Sequence, residues 1–310
     1  MSASSSERKP VCNILLATDL SARGDRALGR AIAIAAERQA HLTVLHAFEE
    51  FNESNLTYER QTQPSWRAPP DAISIAKLRI REGLEAELGD VVEQATILIE
   101  EGEPADVIER VVTSQVIDLI VTGIAREGLF ASRPVILGRT VERLLRRVSV
   151  PILIVRNRPR TAYRHIVVTT DFSEPSGYAL QVALSFFTHQ PLHLLHAFEM
   201  PHPGALFDLQ RQVESFRQSQ EIELHRFLAS MVLPADARQR LVPHVERGHP
   251  AQLVREYVRD RGADLVVLGT RGRGAMLEVF LGSTAKSILS SLPCDALVVR
   301  APDGRVPRGS

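Results

Sequence analysis

Short, almost continuously apolar segments recur along the chain and alternate with amphipathic stretches. In the first half these apolar segments lie at residues 14–17, 42–46, 119–122 and 152–155. Polar residues or glycines border them, which is typical of strands covered on both faces of a parallel sheet. Between them, residues 26–37 and 141–147 place apolar side chains three to four positions apart, as amphipathic helices do. The pattern therefore predicts an α/β fold with doubly wound, mainly parallel sheets.

The two halves of the chain repeat each other in five blocks. Residues 13–21 (NILLATDLS) match 165–173 (HIVVTTDFS), and LHAFE occurs at both 45–49 and 195–199. The three other pairs are 102–104 with 248–250, 118–123 with 264–269, and 150–156 with 294–300. The shared order and spacing predict tandem domains, which also suits a length of 310 residues. We expect a first domain at 10–157, a linker at 158–163, a second domain at 164–302 and a tail at 303–310.

Composition excludes several classes of partner. The 37 basic and 37 acidic residues balance, so no overall field attracts nucleic acid or an anionic membrane. Cys12 and Cys294 are too few for a disulfide framework or a thiolate metal site. No apolar run approaches the roughly 20 residues that cross a bilayer, and the first ten residues are polar. We expect a cytoplasmic protein without a nucleic-acid or membrane partner, and a tail whose VPRGS ending resembles a protease-cleavage remnant.

A glycine-rich loop follows one apolar segment of the second half. Its glycines and the polar residues that precede the next helical pattern are Gly269, Gly272, Gly274, Gly282, Ser283 and Thr284. Glycines let main-chain amides approach an anion, and a helix N-terminus attracts phosphate. Arg271 and Arg273 would add positive charge. The loop is neither a Walker loop nor a dinucleotide fingerprint, so spacing alone favours phosphate binding but leaves an ordinary turn as the alternative.

The spacing of Gly269, Gly272, Gly282 and Ser283 is similar to the ATP-binding pattern of the universal stress protein family. In that pattern two residues separate the first two glycines, and nine residues separate the second from a glycine before Ser or Thr. The resemblance extends over nearly all of both halves. It implies two tandem domains with five-stranded sheets of the adenine nucleotide α hydrolase-like, Rossmann-like type. It also implies ATP as the cofactor, with Mg²⁺ as an optional companion.

The resemblance further implies which residues form the nucleotide site. Asp171 would contact the nucleoside, the backbone of Ala197 would meet adenine, and the glycine loop would wrap the phosphates. The implied set is Thr169, Thr170, Asp171, Ala197, Gly269, Arg271, Gly272, Arg273, Gly282, Ser283 and Thr284. From the residues alone, Asp171 could equally end a strand and help cap the helix that starts near Ser173, and the two roles are compatible.

The corresponding loop of the first half departs from this pattern. Arg126 replaces the second glycine, Arg139 replaces the Ser or Thr, and the loop is two residues longer, with Pro134 inside it. We therefore expect the first half not to bind ATP in the family manner. An altered anion site near Asp19, with Arg133 among its basic residues, is the alternative.

No catalytic base or metal-ligand set is evident in the sequence. His193 and His196 are three positions apart in a strand, so their side chains point to opposite faces. The preferred interpretation is an ATP-binding regulator in the bacterial stress response, with slow hydrolysis at most. The alternatives are a weak ATPase or phosphotransferase, and a scaffold that binds no nucleotide. The resemblance also implies that residues 152–155 and 296–299 pair within the chain, and it leaves open a homodimer and an unidentified regulatory protein partner.

Overall fold

The computed structural model describes residues 13–21, 24–48, 72–124, 138–200, 209–234, 236–270 and 281–302. The chain divides into two compact units, Met1–Gly123 and Ile124–Ser310. In both units strands alternate with helices and the sheet is mostly parallel, so the predicted α/β class is confirmed. The expected long loop at residues 50–71 lies outside the described residues.

The first unit contains a four-stranded parallel sheet. Its elements are β1 (Asn13–Thr18), α1 (Gly24–Arg38), β2 (His41–Phe48), α2 (Ala72–Leu88), a 3₁₀ helix (Gly89–Gln94), β3 (Ala95–Glu101), α3 (Pro104–Ser114) and β4 (Leu119–Gly123). The strand order is β3-β2-β1-β4. Ile14, Leu15 and Leu16 are all fully buried although their side chains alternate between the two faces of the sheet. Both faces are therefore covered, as the continuous apolar runs predict.

The second unit contains a six-stranded sheet. Its elements are α4 (Arg139–Arg147), β5 (Ile152–Val155), β6 (Ile166–Thr170), α5 (Glu174–Phe186), β7 (Leu192–Phe198), α6 (Leu209–Ser230), α7 (Ala237–Arg240), β8 (Leu241–Arg247), α8 (Pro250–Arg261), β9 (Leu265–Gly269), α9 (Ser283–Ser291) and β10 (Asp295–Val299). The strand order is β5-β10-β9-β6-β7-β8. The registers of these pairs are parallel except between β5 and β10.

The antiparallel pair of β5 and β10 is the strand pairing expected for residues 152–155 and 296–299. Leu153 lies opposite Leu297 in this ladder. Just after β5, the backbone N–H groups of Arg156 and Asn157 donate to Oδ1 of Asp295 at 2.8 and 3.0 Å. The buried carboxylate therefore fixes the start of the segment that joins β5 to β6.

Local sequence signals set several helix ends. Glu103 caps α3, whose first residue is Pro104, and Ser173 caps α5 by accepting from the N–H of Ser176. Helix α8 ends at Gly262, whose φ of 67° suits a residue without a side chain. These ends matter because α5 starts directly after β6, at the edge of the sheet where the candidate site lies.

Candidate functional site

The strand order of the second unit reverses between β6 and β9. From β6 the chain proceeds outward through β7 and β8, whereas from β9 it proceeds to β10 on the other side. Ligands of open α/β sheets bind beyond the carboxyl ends of the strands at such a reversal. Val168 of β6 pairs with Val267 of β9, and Thr170 of β6 pairs with His196 of β7. The structure therefore brings Thr169, Thr170, Ala197 and Gly269 to the same edge of the sheet.

A tight turn connects β6 to α5 and contains Asp171. Its Oδ1 accepts from the backbone N–H of Ser173 at 3.1 Å and from the Ser173 hydroxyl at 2.5 Å. Phe172 has a φ of 62°, and its N–H donates to Thr170 Oγ1 at 3.0 Å. Asp171 therefore helps to shape the turn before the Ser173 cap, which is the structural role that the sequence left open.

The first unit builds the same turn after β1. Oδ1 of Asp19 accepts from the N–H and the hydroxyl of Ser21 at 3.0 and 2.6 Å. Leu20 has a φ of 57°, close to that of Phe172. The hydrogen bonds of the aspartate within the turn therefore belong to the repeated fold, whether or not a unit binds a ligand.

His196 links the end of β6 to the neighbouring elements. Its Nδ1 lies 2.8 Å from the carbonyl oxygen of Thr170, so this nitrogen is the donor. Its Nε2 lies 3.1 Å from the side-chain amide of Gln220 on α6, and Phe172 stacks on its ring at a centroid distance of 4.0 Å. The first unit repeats the first contact, with His46 Nδ1 2.9 Å from the carbonyl of Thr18. His196 thus holds the end of β6 against β7 and α6 next to the candidate site.

The N-terminus of α9 lies beside the end of β9. The N–H of Gly282 donates to the carbonyl of Thr270 at 2.8 Å, and the N–H of Thr270 donates to Val299 at 3.0 Å. Gly282 is the N-cap and supplies no side chain, while Ser283 and Thr284 are exposed in the first turn. The first backbone hydrogen bond of the helix joins Lys286 to Gly282. The amides that precede Lys286 therefore form a helix N-terminus suited to an anion.

Thr270 is a residue of this region that the sequence did not single out. It is 1% exposed, and its hydroxyl oxygen has no hydrogen-bond partner among the described residues. A Cβ on Gly282 would lie 3.6 Å from the carbonyl oxygen of Thr270, an ordinary contact, so the described neighbours alone do not require glycine there. Burial of a hydroxyl beside a glycine-rich loop leaves no periodic pattern in a sequence.

Part of the predicted site falls outside the described residues. This applies to Arg271, Gly272 and Arg273, and in the first half to Arg126, Arg133 and Pro134. Arg139 is described and is the first residue of α4, after the N-cap Gly138. Gly138 and Gly282 have similar backbone angles, with φ of −65° and −60° and ψ of 150° and 152°. The arginine therefore occupies in α4 the position that Ser283 has in α9.

Within the described part of the chain, no helix is long and apolar enough to cross a membrane. Across the same residues, no three or more His, Cys, Asp or Glu side chains are grouped so as to hold a metal ion. His193 contacts Tyr257 on α8, whereas His196 contacts Gln220 on α6. The side chains of these two histidines therefore contact different helices, as the strand alternation predicts.

A repeated, mainly parallel α/β sheet with a glycine-capped helix at its reversal point defines a tandem protein of the Rossmann-like, adenine nucleotide α hydrolase-like class. The family model described as "Universal stress protein family" matches residues 11–156 and 162–300. The chain belongs to this family, as the glycine spacing predicted. Each of the two matched segments corresponds to one copy of the internal repeat.

Individual relatives are similar to this chain at low sequence identity. Universal stress protein E of Salmonella typhi is 26% identical over 174 residues, which are 53% of this chain and 55% of that protein. The chain thus spans about half the length of the first curated relatives it matches. A crystal structure of a universal stress protein from Archaeoglobus fulgidus covers 93% of this chain and 98% of its own, with a TM-score of 0.62 and 18% identity. That likeness shows the fold alone.

A solved universal stress protein in complex with cAMP is 22% identical to this chain. It covers 45% of this chain and 98% of its own, with a TM-score of 0.30. At this score the bound nucleotide is a fact about that protein only.

Proposed function

We propose that this universal stress protein binds ATP through the second half of its chain and acts as a nucleotide-dependent regulator in the cytoplasm of a stressed bacterium. The observation that carries the proposal is the convergence at the β6–β9 reversal. There the turn after β6, the end of β9 and the N-terminus of α9 meet within one unit. Family membership supports the same assignment.

Each part of an adenine nucleotide has a suitable counterpart at this edge. The amides and dipole at the start of α9 favour the phosphates, with Arg271 and Arg273 as additional cations. Asp171 directly follows β6 at this edge, and carboxylate oxygens are suitable acceptors for ribose hydroxyls. The backbone at Ala197 ends β7 beside Thr170 and would meet the adenine edge.

The first half offers a poorer phosphate site. Arg139 begins α4 where Ser283 begins α9, and Arg126 stands where the pattern has its second glycine. The long side chain of Arg126, at the position of the second glycine, would obstruct the close approach of backbone and phosphate. We therefore propose one ATP per chain, whose occupancy changes the conformation or the choice of a regulatory protein partner. A homodimer is compatible with this proposal.

The experiment compares Asp171→Ala with the matched control Asp19→Ala by calorimetric titration with Mg²⁺-ATP. Both changes remove the same two hydrogen bonds in the turn, so both should lower the unfolding midpoint by similar amounts. Only Asp171→Ala should weaken ATP binding, by about tenfold or more, because hydrogen bonds to charged groups contribute about 1.5–3 kcal/mol. Equal ATP affinity in the two variants would remove Asp171 from the site.

The state of the purified protein gives a second readout. Denaturing it and chromatographing the supernatant should release adenine nucleotide from the wild type and none from Gly272→Arg, which imitates Arg126. Absence of nucleotide in the wild type, with no calorimetric binding, would favour a scaffold. Multiple-turnover hydrolysis or transfer to an added acceptor would favour an enzyme.

A further inference from the structure

Three side chains of the second unit bring polar atoms together on the face of the sheet beneath α8. They are His193 on β7, His244 on β8 and Tyr257 on α8. Nδ1 of His193 lies 3.1 Å from Nε2 of His244, and the Tyr257 hydroxyl lies 2.9 and 3.2 Å from these two nitrogens. The three atoms form a nearly equilateral triangle. The side chains are half-buried, so the triangle is screened from bulk water but not sealed from it.

Two hydrogen bonds satisfy this triangle when no ligand is bound. One imidazole N–H donates to the Tyr257 hydroxyl, which in turn donates to the nitrogen of the other imidazole. In the tautomer that leaves both imidazole nitrogens unprotonated, the two nitrogens and the phenol oxygen instead present lone pairs to one another. A cation near the centre of the triangle would attract all three of these atoms.

The dimensions match those of a transition-metal site. Zinc–nitrogen bonds of 2.0–2.1 Å in tetrahedral geometry place two ligand atoms about 3.3 Å apart. The three edges of the triangle, from 2.9 to 3.2 Å, need only a slight expansion to reach this value. Imidazole suits zinc, copper and nickel better than hard cations such as Mg²⁺.

We propose that His193, His244 and Tyr257 bind a divalent transition-metal ion of the zinc type, with water completing its coordination. The site contains two imidazoles and a phenol. It is therefore consistent with the absence, among the described residues, of a metal-binding group of three or more His, Cys, Asp or Glu side chains. It lies away from the nucleotide edge, because His193 pairs near the start of β6, opposite Val167, whereas that edge follows Thr170.

The internal repeat shows that the fold does not require this cluster. By the register of the two sheets, His193 corresponds to Thr43 and His244 to Leu98. Equal spacing from Gly102 and Gly248 makes Val111 the counterpart of Tyr257. The first unit therefore builds the same corner without imidazole or phenol groups. The polar side chains are a property of the second unit.

The surroundings of His193 and His244 disfavour protonation of both imidazoles. Burial lowers the pKa of His193, and the neighbouring His165, His244 and Arg261 lower it further. Burial also lowers the pKa of His244, although Glu246 acts in the opposite direction. The His165 ring packs on His193 at a centroid distance of 4.4 Å, and its buried Nε2 has no hydrogen-bond partner in the described part of the chain. The neutral imidazoles present the lone pairs that a metal ion needs.

The test is calorimetric titration of the metal-stripped full chain with ZnCl₂. The wild type should bind one high-affinity Zn²⁺ per chain, and His193→Thr combined with His244→Leu, which copies the first unit, should lose that site. Tyr257→Phe should weaken binding by about tenfold. His225→Gln on α6 is the control: His225 is exposed, and its ring bonds to the Glu221 carbonyl on its own helix, so its removal should change nothing.

Nuclear magnetic resonance of the histidine rings keeps the proposal testable if the double variant does not fold. In the wild type, one equivalent of Zn²⁺ should shift the ring nitrogen signals of His193 and His244 and leave that of His225 in place. Unchanged signals for His193 and His244, or equal Zn²⁺ binding by wild type and a folded double variant, would overturn the proposal.

Discussion

Leu20 and Phe172 adopt the same left-handed backbone conformation in very different surroundings. Their φ angles are 57° and 62°, a region that costs a residue with a Cβ about 1–2 kcal/mol. Leu20 is 36% exposed, whereas Phe172 is 9% exposed and stacks on His196. Packing therefore offsets the backbone strain at Phe172, while nothing comparable is described at Leu20.

This difference predicts that substitution by asparagine has opposite effects on stability at the two positions. Leu20→Asn should raise the free energy of unfolding by about 0.5–1 kcal/mol, because asparagine tolerates positive φ. Phe172→Asn should lower the free energy of unfolding by about 2 kcal/mol or more, because a buried aromatic ring is lost. Equilibrium urea unfolding measures both, and effects of the same sign would contradict this account.

Cys294 should be chemically inert in the native protein. Burial, with the negative charges of Asp295 and Asp264, raises the pKa of its thiol from 9.0 to about 12. In a Cys12→Ser background, a disulfide reagent at pH 8 should react with Cys294 only after unfolding, because the thiolate is the nucleophile. Since the native thiol holds its proton more tightly, its contribution to stability should be lost as the pH rises from about 9 towards 12. Rapid labelling of the native protein would show that the thiol is accessible.

At the scale of elements, Asp295 joins the end of β5 to the start of β10. Its carboxylate accepts from the N–H groups of Arg156 and Asn157, and from the Tyr163 hydroxyl at 2.6 Å. The aspartate is 1% exposed. One buried group thus holds three donors from the segment between β5 and β6.

Asp295→Ala should destabilise this junction by about 3 kcal/mol or more, because the buried Tyr163 hydroxyl and two partly buried backbone N–H groups lose their acceptor. Tyr163→Phe removes only one donor and should cost about 1–2 kcal/mol. Hydrogen exchange is the measurement: the amides of Arg156 and Asn157 should exchange much faster in Asp295→Ala and at near-normal rates in Tyr163→Phe. Unchanged protection in Asp295→Ala would mean that other contacts hold the segment.

The sequence predicted the strands that are covered on both faces, and it did not mark β3 or β8. The runs at β1, β4, β5 and β9 are continuous because both faces are buried. Strands β3 and β8 end their sheets in the strand order and carry polar residues, including Pro243 in β8. They lie outside the apolar segments of the sequence, since an edge strand is only partly covered.

At the scale of the whole molecule, the two halves share a fold but differ in the sequence of the loop that precedes α4 and α9. If Arg126 and Arg139 both disfavour phosphate, titration should give one ATP per chain, and Arg126→Gly alone should not create a second site. Gly272→Arg should reduce the stoichiometry to zero. Two ATP per wild-type chain would show that the first half also binds nucleotide.

The sequence by itself determined the α/β class, the tandem repeat and family membership, because hydrophobic period and glycine spacing are local properties written along the chain. It also marked Thr169, Thr170, Ala197 and Gly269, which the structure brings to the β6–β9 reversal, since strand ends follow from the same pattern. Only the tertiary structure decided that β5, which belongs to the first repeat, lies in the second compact unit and runs antiparallel to β10. Only the fold, likewise, brought His193 to His244 and Tyr257, which are 51 and 64 residues away. Such contacts depend on strand register and helix placement, and no local period encodes them.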